Sequence, residues 1–348
     1  WSWRFIMSDF RIDKITNRVG NAGTQIAGIT TFTGTSGMVM PGGPTEYRGG
    51  RGKGVSGGGH ISASINTLNY ITIATTGNAV DFGDLTEVRS QIGCSGGYTK
   101  GVWSGGNTPN ASSRMDSVIF SSQGGATYFG DLTLARATYA ATCNGKIGLI
   151  YGGSPLAGGN INIIDYFNIT TLGNAAEFGD QIYNQREQGA LENTTRSVVA
   201  GGYGDPASPF QGLPGSANIP FISYNLFATK GNTVHFGELS TAYYGVMGAA
   251  SETRGCIAGG GTTNVIEYIT IATTGNATDF GDLTVGRRSG GGTSNKTRGV
   301  WGGGYNPSLQ DVIDYATIAT TGNAVDFGNL TAATRGNSLC SDCHGGLE

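Results

Sequence analysis

The chain has 348 residues, of which 13% are charged, and a formal net charge of −3. The charged fraction is about half the roughly 25% of a typical soluble protein, so solubility must come from Ser, Thr, Asn and glycine-rich turns. A nucleic-acid partner is not expected, because it would usually require a basic patch or a clearly basic balance. A membrane span is not expected either, since no apolar run is near the roughly 20 residues that cross a bilayer.

Residues 1–50 differ from everything that follows and are predicted to form a short extended N-terminal segment. Met7 is a candidate for the native start, in which case the six residues before it would be foreign. Residues 33–50 are rich in Gly, Pro and Thr, which is typical of an extended linker. Such a segment cannot bury a core of its own, so we expect it to fold against a partner protein or against copies of itself.

From residue 51 onward the chain carries six variants of one unit, whose clearest copy is residues 265–284. The marker of the unit is a Phe-Gly pair. It recurs 44 to 58 residues apart, at Phe82, Phe129, Phe178, Phe236, Phe280 and Phe327. A period of this length, built from strands, indicates a β-propeller or a related array.

Each copy carries the signals of a small antiparallel sheet. Residues 70–75 are β-branched and aromatic, a Gly-Asn pair follows, and residues 79–82 resume the strand pattern, which is a hairpin signal. Upstream, a short strand begins with a cation and ends in Gly-Gly, as in residues 100–106. Downstream, a run of small residues such as 89–95 supplies a fourth strand. Four strands in each of six copies predict an all-β fold, a six-bladed propeller of four-stranded antiparallel blades.

The propeller is expected to cover residues 51–348. Its blades are predicted at about 51–98, 99–145, 146–195, 196–253, 254–297 and 298–348. The last copy contains a fourth strand of its own at residues 335–342, so no strand is left over to close the ring. We therefore expect closure by packing of the first blade against the last, or by a strand borrowed from the N-terminal segment.

The order of apolar strand, Gly-Gly, loop, Asp-Tyr, hairpin, aromatic residue and Arg resembles the kelch repeat over roughly residues 51–346. One departure is the Phe of Asp-Phe-Gly-Asp, where a typical kelch copy has Trp. A closer resemblance is to kelch-like proteins of tailed phages, particularly marine cyanophages, whose copies read Ile-Asp-Tyr-Ile-Thr-Ile-Ala-Thr-Thr-Gly-Asn-Ala-x-Asp-Phe-Gly-Asp-Leu-Thr. Residues 8–18 and 23–38 also resemble the attachment segments of virion fibre proteins.

This resemblance implies a virion protein with a structural or host-attachment role. Residues 1–50 would contact other virion proteins, and the propeller would be presented outward. We expect a non-enzymatic fibre or tail-associated adhesin whose loop face binds a host-surface receptor or glycan. Two alternatives stay open: a capsid decoration protein, and a cellular kelch-type scaffold that binds proteins, although such scaffolds usually carry a further interaction domain.

Ionisable residues recur in nearly every copy, which argues against catalysis because an active site occurs once. Acidic or amide residues follow the Phe-Gly pairs, at Asp84, Asp131, Asp180, Glu238, Asp282 and Asn329, and arginines follow these at Arg89, Arg136, Arg186, Arg287 and Arg335. We expect structural pairing or turn hydrogen bonds within blades. A second series of cations precedes the Gly-Gly pairs, at Lys53, Lys100, Lys146, Arg196, Arg254 and Arg298. We expect their charged groups to be solvated and the aliphatic parts of their side chains to be packed. The alternative is that they form an anion-binding ring in a central channel.

No catalytic residue, metal site or cofactor is predicted. Cys340 and the Cys343-His344 pair have the two-residue spacing of metal sites, but a structural zinc needs about four ligands, and we expect an exposed, frayed tail. His60, His235 and His344 are too few and too scattered for a copper enzyme of the galactose oxidase type. The sequence contains neither a sialidase box nor a Gly-x-Ser-x-Gly elbow.

The five cysteines are dispersed along the chain. Cys94, Cys143 and Cys340 fall in fourth-strand positions and Cys256 in a first strand, where cysteine acts as a small buried apolar residue. A disulfide framework is not expected in a chain of this length.

The fourth copy differs from the others by a long insertion, residues 203–221, between its first and second strands. Insertions in repeat arrays lie in loops on one face, which is often the binding face. The candidate binding residues are four aromatic residues in such loops, Tyr203, Phe210, Phe221 and Tyr305. They either form an exposed platform that stacks on sugar rings or bury the insertion against the top of the blade.

Overall fold

The computed structural model describes residues 25–26, 30–31, 52–137, 140–204 and 217–347. The chain divides into two compact units, residues 1–49 and 50–348. In the first unit, Gln25–Ile26 pairs antiparallel with Thr30–Thr31, and the other predictions for that segment lie outside the described residues. Among the described residues, no helix has the length and apolar character needed to cross a membrane.

The second unit is all-β, and the main elements of its described residues are six antiparallel sheets in which four strands follow one another side by side. Sheets are numbered along the chain and strands in spatial order. Sheet 1 consists of Ser338–Ser341, Lys53–Gly57, Thr67–Thr72 and Val80–Asp84, and sheet 2 of Gly93–Gly96, Lys100–Ser104, Arg114–Ile119 and Thr127–Asp131. Sheet 3 consists of Ala140–Cys143, Ile147–Pro155, Ile161–Asn168 and Ala176–Asp180, and sheet 4 of Gly189–Glu192, Arg196–Ala200, Phe221–Leu226 and Val234–Glu238. Sheet 5 consists of Met247–Ala250, Arg254–Ala258, Val265–Thr270 and Thr278–Asp282, and sheet 6 of Gly291–Ser294, Arg298–Gly302, Val312–Thr317 and Val325–Asn329.

Shorter elements extend this framework. Arg136–Ala137 pairs with the end of Ile147–Pro155, and Asn107–Thr108 pairs with Asn110–Ala111. A three-stranded ribbon is formed by Gln185–Arg186, Tyr203–Gly204 and Ala217–Asn218. The last described element is a 3-10 helix, Gly345–Leu347.

The strand expected to come last in each copy pairs instead with the strand that follows it. Gly93–Gly96 joins Lys100–Ser104 through a tight turn, in which Gly97 N donates to Lys100 O at 2.8 Å. Ser338–Ser341 pairs with Lys53–Gly57 from the first copy. The expectation that the last copy keeps this strand for itself was therefore wrong. The tight turns place five such strands in the sheet of the following copy, and Ser338–Ser341 takes the equivalent place in sheet 1.

The six first strands are neighbours of one another. Each contacts the first strands of the preceding and the following sheet, and sheet 1 contacts both sheet 6 and sheet 2. Cys94 of sheet 2 and Cys340 of sheet 1 form a disulfide across one of these contacts, so the expectation that these two cysteines act as small apolar residues was wrong. Cys143 and Cys256 are free and buried, as predicted, and burial raises the pKa of the Cys256 thiol to about 12.

The Gly-Asn hairpins of the repeat join the outer edges of neighbouring sheets. Gly77 N donates to Phe327 O at 2.7 Å, and Asn329 N donates to Asn78 Oδ1 at 3.0 Å. Equivalent asparagine bonds join sheets 2 to 3, 3 to 4, 4 to 5 and 5 to 6. A Cβ atom added to the Phe-Gly glycine would collide with the next hairpin, whose backbone is in direct contact with it. The Phe-Gly and Gly-Asn pairs are thus two halves of one contact.

The repeated phenylalanines form the core between sheets, and all six are at most 5% exposed. In five sheets the ring packs edge-on against a third-strand tyrosine, as Phe280 does against Tyr268 at 6.1 Å between centroids. Arg254 stands over that tyrosine at 4.4 Å and donates from Nη1 to Ile318 O of sheet 6 at 2.9 Å. Lys53, Arg196 and Arg298 make the same pair of contacts. These members of the cation series therefore clamp adjacent sheets, and the expectation of solvated heads was wrong for them.

Candidate functional site

Three arginines of the repeat belong to buried ion pairs. The pairs, whose side chains have no solvent exposure, are Arg89–Asp116, Arg136–Asp165 and Arg287–Asp314. Arg287 Nη1 lies 2.6 Å from Asp314 Oδ2, and Thr284 Oγ1 donates to the same carboxylate. The acidic partner is thus a third-strand aspartate, not the residue after Phe-Gly. These arginines are structural, because a buried charge left without its partner is strongly destabilising.

Three other arginines lie one residue further along the repeat than the buried ones. They are Arg186, Arg288 and Arg335. Arg287 and Arg288 occupy the two positions in succession. Because successive side chains of an extended chain point to opposite sides, the Arg288 side chain points away from the core in which Arg287 is buried. The cross-strand neighbours of the three arginines are, in order, Tyr203, Tyr305 and His60.

Arginine and tyrosine side chains follow one another in a chain of contacts that we call the Arg/Tyr arc. Its members, in spatial order, are Arg186, Tyr203, Tyr244, Arg288, Tyr305 and Arg335. Arg288 Cζ is 5.3 Å from the ring centroid of Tyr244 and 5.0 Å from that of Tyr305. Arg335 Cζ is 5.1 Å from the Tyr305 centroid. At such distances, within about 6 Å, the ring attracts the cation and holds it in place.

The other end of the arc is built from the three-stranded ribbon. Arg186 Cζ is 5.2 Å from the ring centroid of Tyr203, with which it shares a cross-strand pair. The Tyr203 ring meets Tyr244 edge-on at 6.5 Å between centroids. The arc thus brings together side chains from residue 186 to residue 335.

A cup of about 210 Å³ lies against the arc. Its wall includes Tyr244, Arg288, Tyr305, Arg335, Glu187 and Gln91. A second hollow of about 340 Å³, which we call the side hollow, shares Gln91 and Glu187 with the cup and also includes Arg186. Asn107 Nδ2 donates to Gln91 Oε1 and so holds the side chain that both cavities share. The two cavities are therefore neighbours.

A belt of backbone hydrogen bonds supports the cup. Gln91 N donates to Gly336 O, Gly336 N to Ser289 O, Ser289 N to Gly245 O, and Gly245 N to Glu187 O, all at 2.7 to 2.8 Å. All five residues have positive φ, and Gln91, Glu187 and Ser289 adopt φ of 56 to 57° although they are not glycines. Such conformations cost about 1–3 kcal/mol each and persist where the surroundings impose them, often at functional sites.

The charges around the cup are mainly positive. Three guanidinium groups, Arg186, Arg288 and Arg335, surround the single carboxylate of Glu187 among the residues that line the two cavities. Burial raises the pKa of Glu187, while the three arginines oppose that shift by favouring its ionised form. His60, which also lines the cup, has a buried Nδ1 without a hydrogen-bond partner in the described part of the chain. The arrangement is suited to binding an anion.

No protein-family model matches the chain, and no curated protein matches its sequence. The geometry of the cup is therefore the basis for the functional assignment.

The structure places the four predicted binding residues in different surroundings. Tyr203 and Tyr305 both belong to the Arg/Tyr arc, although they do not touch each other within it. Phe221 stacks on Tyr183 at 4.9 Å between centroids and 7° between planes, and it is not part of the cup wall. Phe210 lies outside the described residues. The aromatic platform stays a prediction. The structure places arginines beside two of its members, Tyr203 and Tyr305.

Sequence reasoning missed most of the cup wall. Arg186 and Arg335 were grouped with the buried arginines, and Arg288, Tyr244 and Glu187 were not singled out. One available signal was the distance from the phenylalanine of the Phe-Gly pair, which is eight residues for the arginines of the arc and seven for the buried ones. The adjacent pair Arg287-Arg288 carries the same signal, since only one of the two can point into the core.

The far ends of the first strands are covered by the last residues of the described chain. His344 Nδ1 lies 2.7 Å from Glu192 Oε1, and Nε2 lies 2.8 Å from Gly96 O. Gly345–Leu347 is buried, and Leu347 is 2% exposed. The expected exposed, frayed tail was wrong, because this segment has the open end of the first strands to pack on. The described residues contain no group of three potential metal ligands.

Proposed function

We propose that the second unit is a six-bladed β-propeller and that the protein is a non-enzymatic virion adhesin, carried on a fibre or tail. In this proposal the cup binds a receptor or glycan on the host surface. The observation that carries it is the Arg/Tyr arc around the cup, since preformed donors held by rings are suited to binding a ligand.

Two features support the propeller architecture. The first strands contact each other in a cycle, and the Gly-Asn hairpins join neighbouring outer edges, including those of sheets 6 and 1. In propellers, blades of four strands are arranged around a central channel, and repeats of about 40–50 residues supply them. The pairing of Ser338–Ser341 with Lys53–Gly57 would close such a ring with a hydrogen-bonded strand.

The position of the cup supports a binding role. It is built where the chain enters the first strands, so loops from several sheets contribute to it. Binding residues are often placed on loops that a rigid scaffold positions. The resemblance of the repeats and of residues 8–18 and 23–38 to phage proteins supports a virion location, with the first unit contacting other virion proteins. A capsid decoration protein and a cellular scaffold are the alternatives.

The experiment that tests this function is adhesion of the fluorescently labelled full chain to the surface of the presumed host cells. We expect saturable adhesion that is lost in the Arg288→Met/Tyr305→Leu double variant. Lys230→Met is the matched control, because Lys230 also stands over a tyrosine, Tyr166, at 4.0 Å but outside the cup.

Equal adhesion by the folded double variant would refute the cup as the binding site. Cryo-electron microscopy of purified particles then distinguishes the locations. Density at fibre or tail ends supports the adhesin, density on the capsid favours a decoration protein, and absence from particles favours a cellular scaffold.

A further inference from the structure

We propose that the ligand of the cup is an acidic saccharide, whose carboxylate or sulfate group is bound by Arg288 and Arg335. This inference rests on the proposed function and deepens it, because it names the chemical class of the ligand. Its basis is the charge, the free donors and the dimensions of the cup and the side hollow.

The positive charge of the cup favours an anionic ligand. Three guanidinium groups face one carboxylate, and Glu187 approaches only one of them closely, with its Oε1 3.8 Å from Arg186 Nε. Arg288 and Arg335 therefore keep positive charge that no carboxylate in the described residues neutralises at ion-pair distance. The tyrosine rings in contact with them hold this charge at the surface of the cup, and a bound anion would neutralise it.

The donors of these two arginines are available to a ligand. A guanidinium carries five N–H donors in a planar fork that matches carboxylate and sulfate oxygens. Arg288 uses one nitrogen to donate to Gly261 O at 3.1 Å, and Arg335 is exposed. Both arginines stand about 5 Å from the Tyr305 centroid and both line the cup, so an anionic ligand in the cup is exposed to both positive charges.

The size of the cavities favours a saccharide chain over a single small ion. The cup, at about 210 Å³, is smaller than the roughly 300–1,000 Å³ of most pockets for drug-sized ligands and suits one sugar unit. The side hollow is its neighbour, since Gln91 and Glu187 belong to both walls. Its other lining residues are neutral, such as Asn107 and Leu156, except for Arg186. A chain could thus place its acidic unit in the cup and its next unit in the side hollow.

The test is isothermal titration calorimetry of the full chain with a galacturonic acid hexamer and with its carboxyl-reduced galactose hexamer. We expect the acidic hexamer to bind at least about tenfold more tightly than the reduced one, since hydrogen bonds to charged groups are the strong ones. A sulfated galactose hexamer distinguishes sulfate from carboxylate as the preferred group, and inorganic sulfate shows whether the saccharide contributes.

Variants connect the affinity to the named residues. Arg288→Met and Arg335→Met should each weaken the acidic hexamer about tenfold or more, while Lys230→Met should leave its affinity unchanged. Glu187→Gln removes the carboxylate that repels the ligand and should strengthen binding. Melting temperatures of the variants show whether each is folded.

The outcomes separate this inference from the proposed function. Equal binding of the reduced and acidic hexamers, with both lost in Arg288→Met/Tyr305→Leu, would overturn the acidic ligand and keep the cup as a binding site. Acidic binding unchanged in the folded arginine variants would overturn both. Two results would overturn the assignment of the ligand as a saccharide. One is that a hexaglutamate peptide binds more tightly than the acidic hexamers, and the other is that inorganic sulfate binds as tightly as either of them.

Discussion

At the scale of single residues, neighbouring arginines have opposite roles. Arg287 is fully buried against Asp314, whereas Arg288 is partly exposed in the arc. We expect Arg287→Met to destabilise the protein by about 3–5 kcal/mol, because it leaves a buried carboxylate unpaired. Arg288→Met should cost less, about 1–2 kcal/mol, because it removes two cation–ring contacts and one hydrogen bond at a partly exposed site. Urea unfolding of the two variants measures both values, and equal losses would contradict the assignment.

Glu187 gives a second prediction, on pH. Its folded-state pKa is raised by burial, so ionisation costs more in the native state than in the unfolded chain. This penalty is present at neutral pH and disappears as the pH falls through the folded pKa and then the unfolded value of about 4.3. Glu187→Gln should therefore raise the melting temperature at pH 7 and have little effect near pH 3.

Melting curves of the Glu187→Gln variant between pH 3 and pH 7 test whether the substitution raises or lowers the melting temperature. The groups that face Glu187, namely Arg186, Arg288 and Arg335, favour its ionised form. If their attraction exceeded the cost of burial, the substitution would lower the melting temperature at pH 7 instead.

At the scale of elements, the contact between a Phe-Gly turn and the next Gly-Asn hairpin predicts different costs for two glycines. A Cβ on Gly237 would collide with the backbone of Gly275, whereas a Cβ on Gly275 would meet no atom within 4 Å. Gly237→Ala should destabilise by about 1–3 kcal/mol, the usual cost of overpacking. Gly275→Ala should change stability by less than about 0.5 kcal/mol. Chemical denaturation of both variants measures this, and similar losses would argue against the inter-sheet contact.

The strands themselves could be predicted from the sequence, because their signals are local. The Gly-Asn pair and the β-branched run before it specify a hairpin wherever they occur. The partner of Gly93–Gly96 was assigned wrongly because a short run of small residues has no pattern that favours the preceding or the following strand. The turn between Gly97 and Lys100 decides this, and equivalent turns end in the cation of the next strand, as at Asn295 and Arg298.

At the scale of the whole molecule, the cup could not be predicted, because its residues are distant in sequence. Arg186 and Arg335 belong to different copies, and only the arrangement of the sheets brings them to one arc. The sequence also does not show which charges are neutralised by a buried partner. Tyr203 and Tyr305 were found because their loops interrupt the repeat, a signal that the arginines lack.

The pairing of Ser338–Ser341 with Lys53–Gly57 predicts a sharp difference between two shortened chains. A chain that ends at Asp342 keeps this strand and should remain folded, although it loses the segment that covers the far ends of the first strands. A chain that ends at Asn337 leaves Lys53–Gly57 as an unpaired edge and should unfold or aggregate. Circular dichroism melts and size-exclusion chromatography compare them, and identical melts would contradict the pairing.

The same pairing makes the order of synthesis matter. On the ribosome, the strands Lys53–Gly57, Thr67–Thr72 and Val80–Asp84 emerge early, but the strand that completes their sheet is translated only after five other sheets have been made. Because unpaired strand edges promote aggregation of nascent chains, the growing polypeptide carries this risk throughout elongation. Premature termination upstream of residue 338 would release a product with an open edge, so a correctly folded chain is one whose translation has passed that residue.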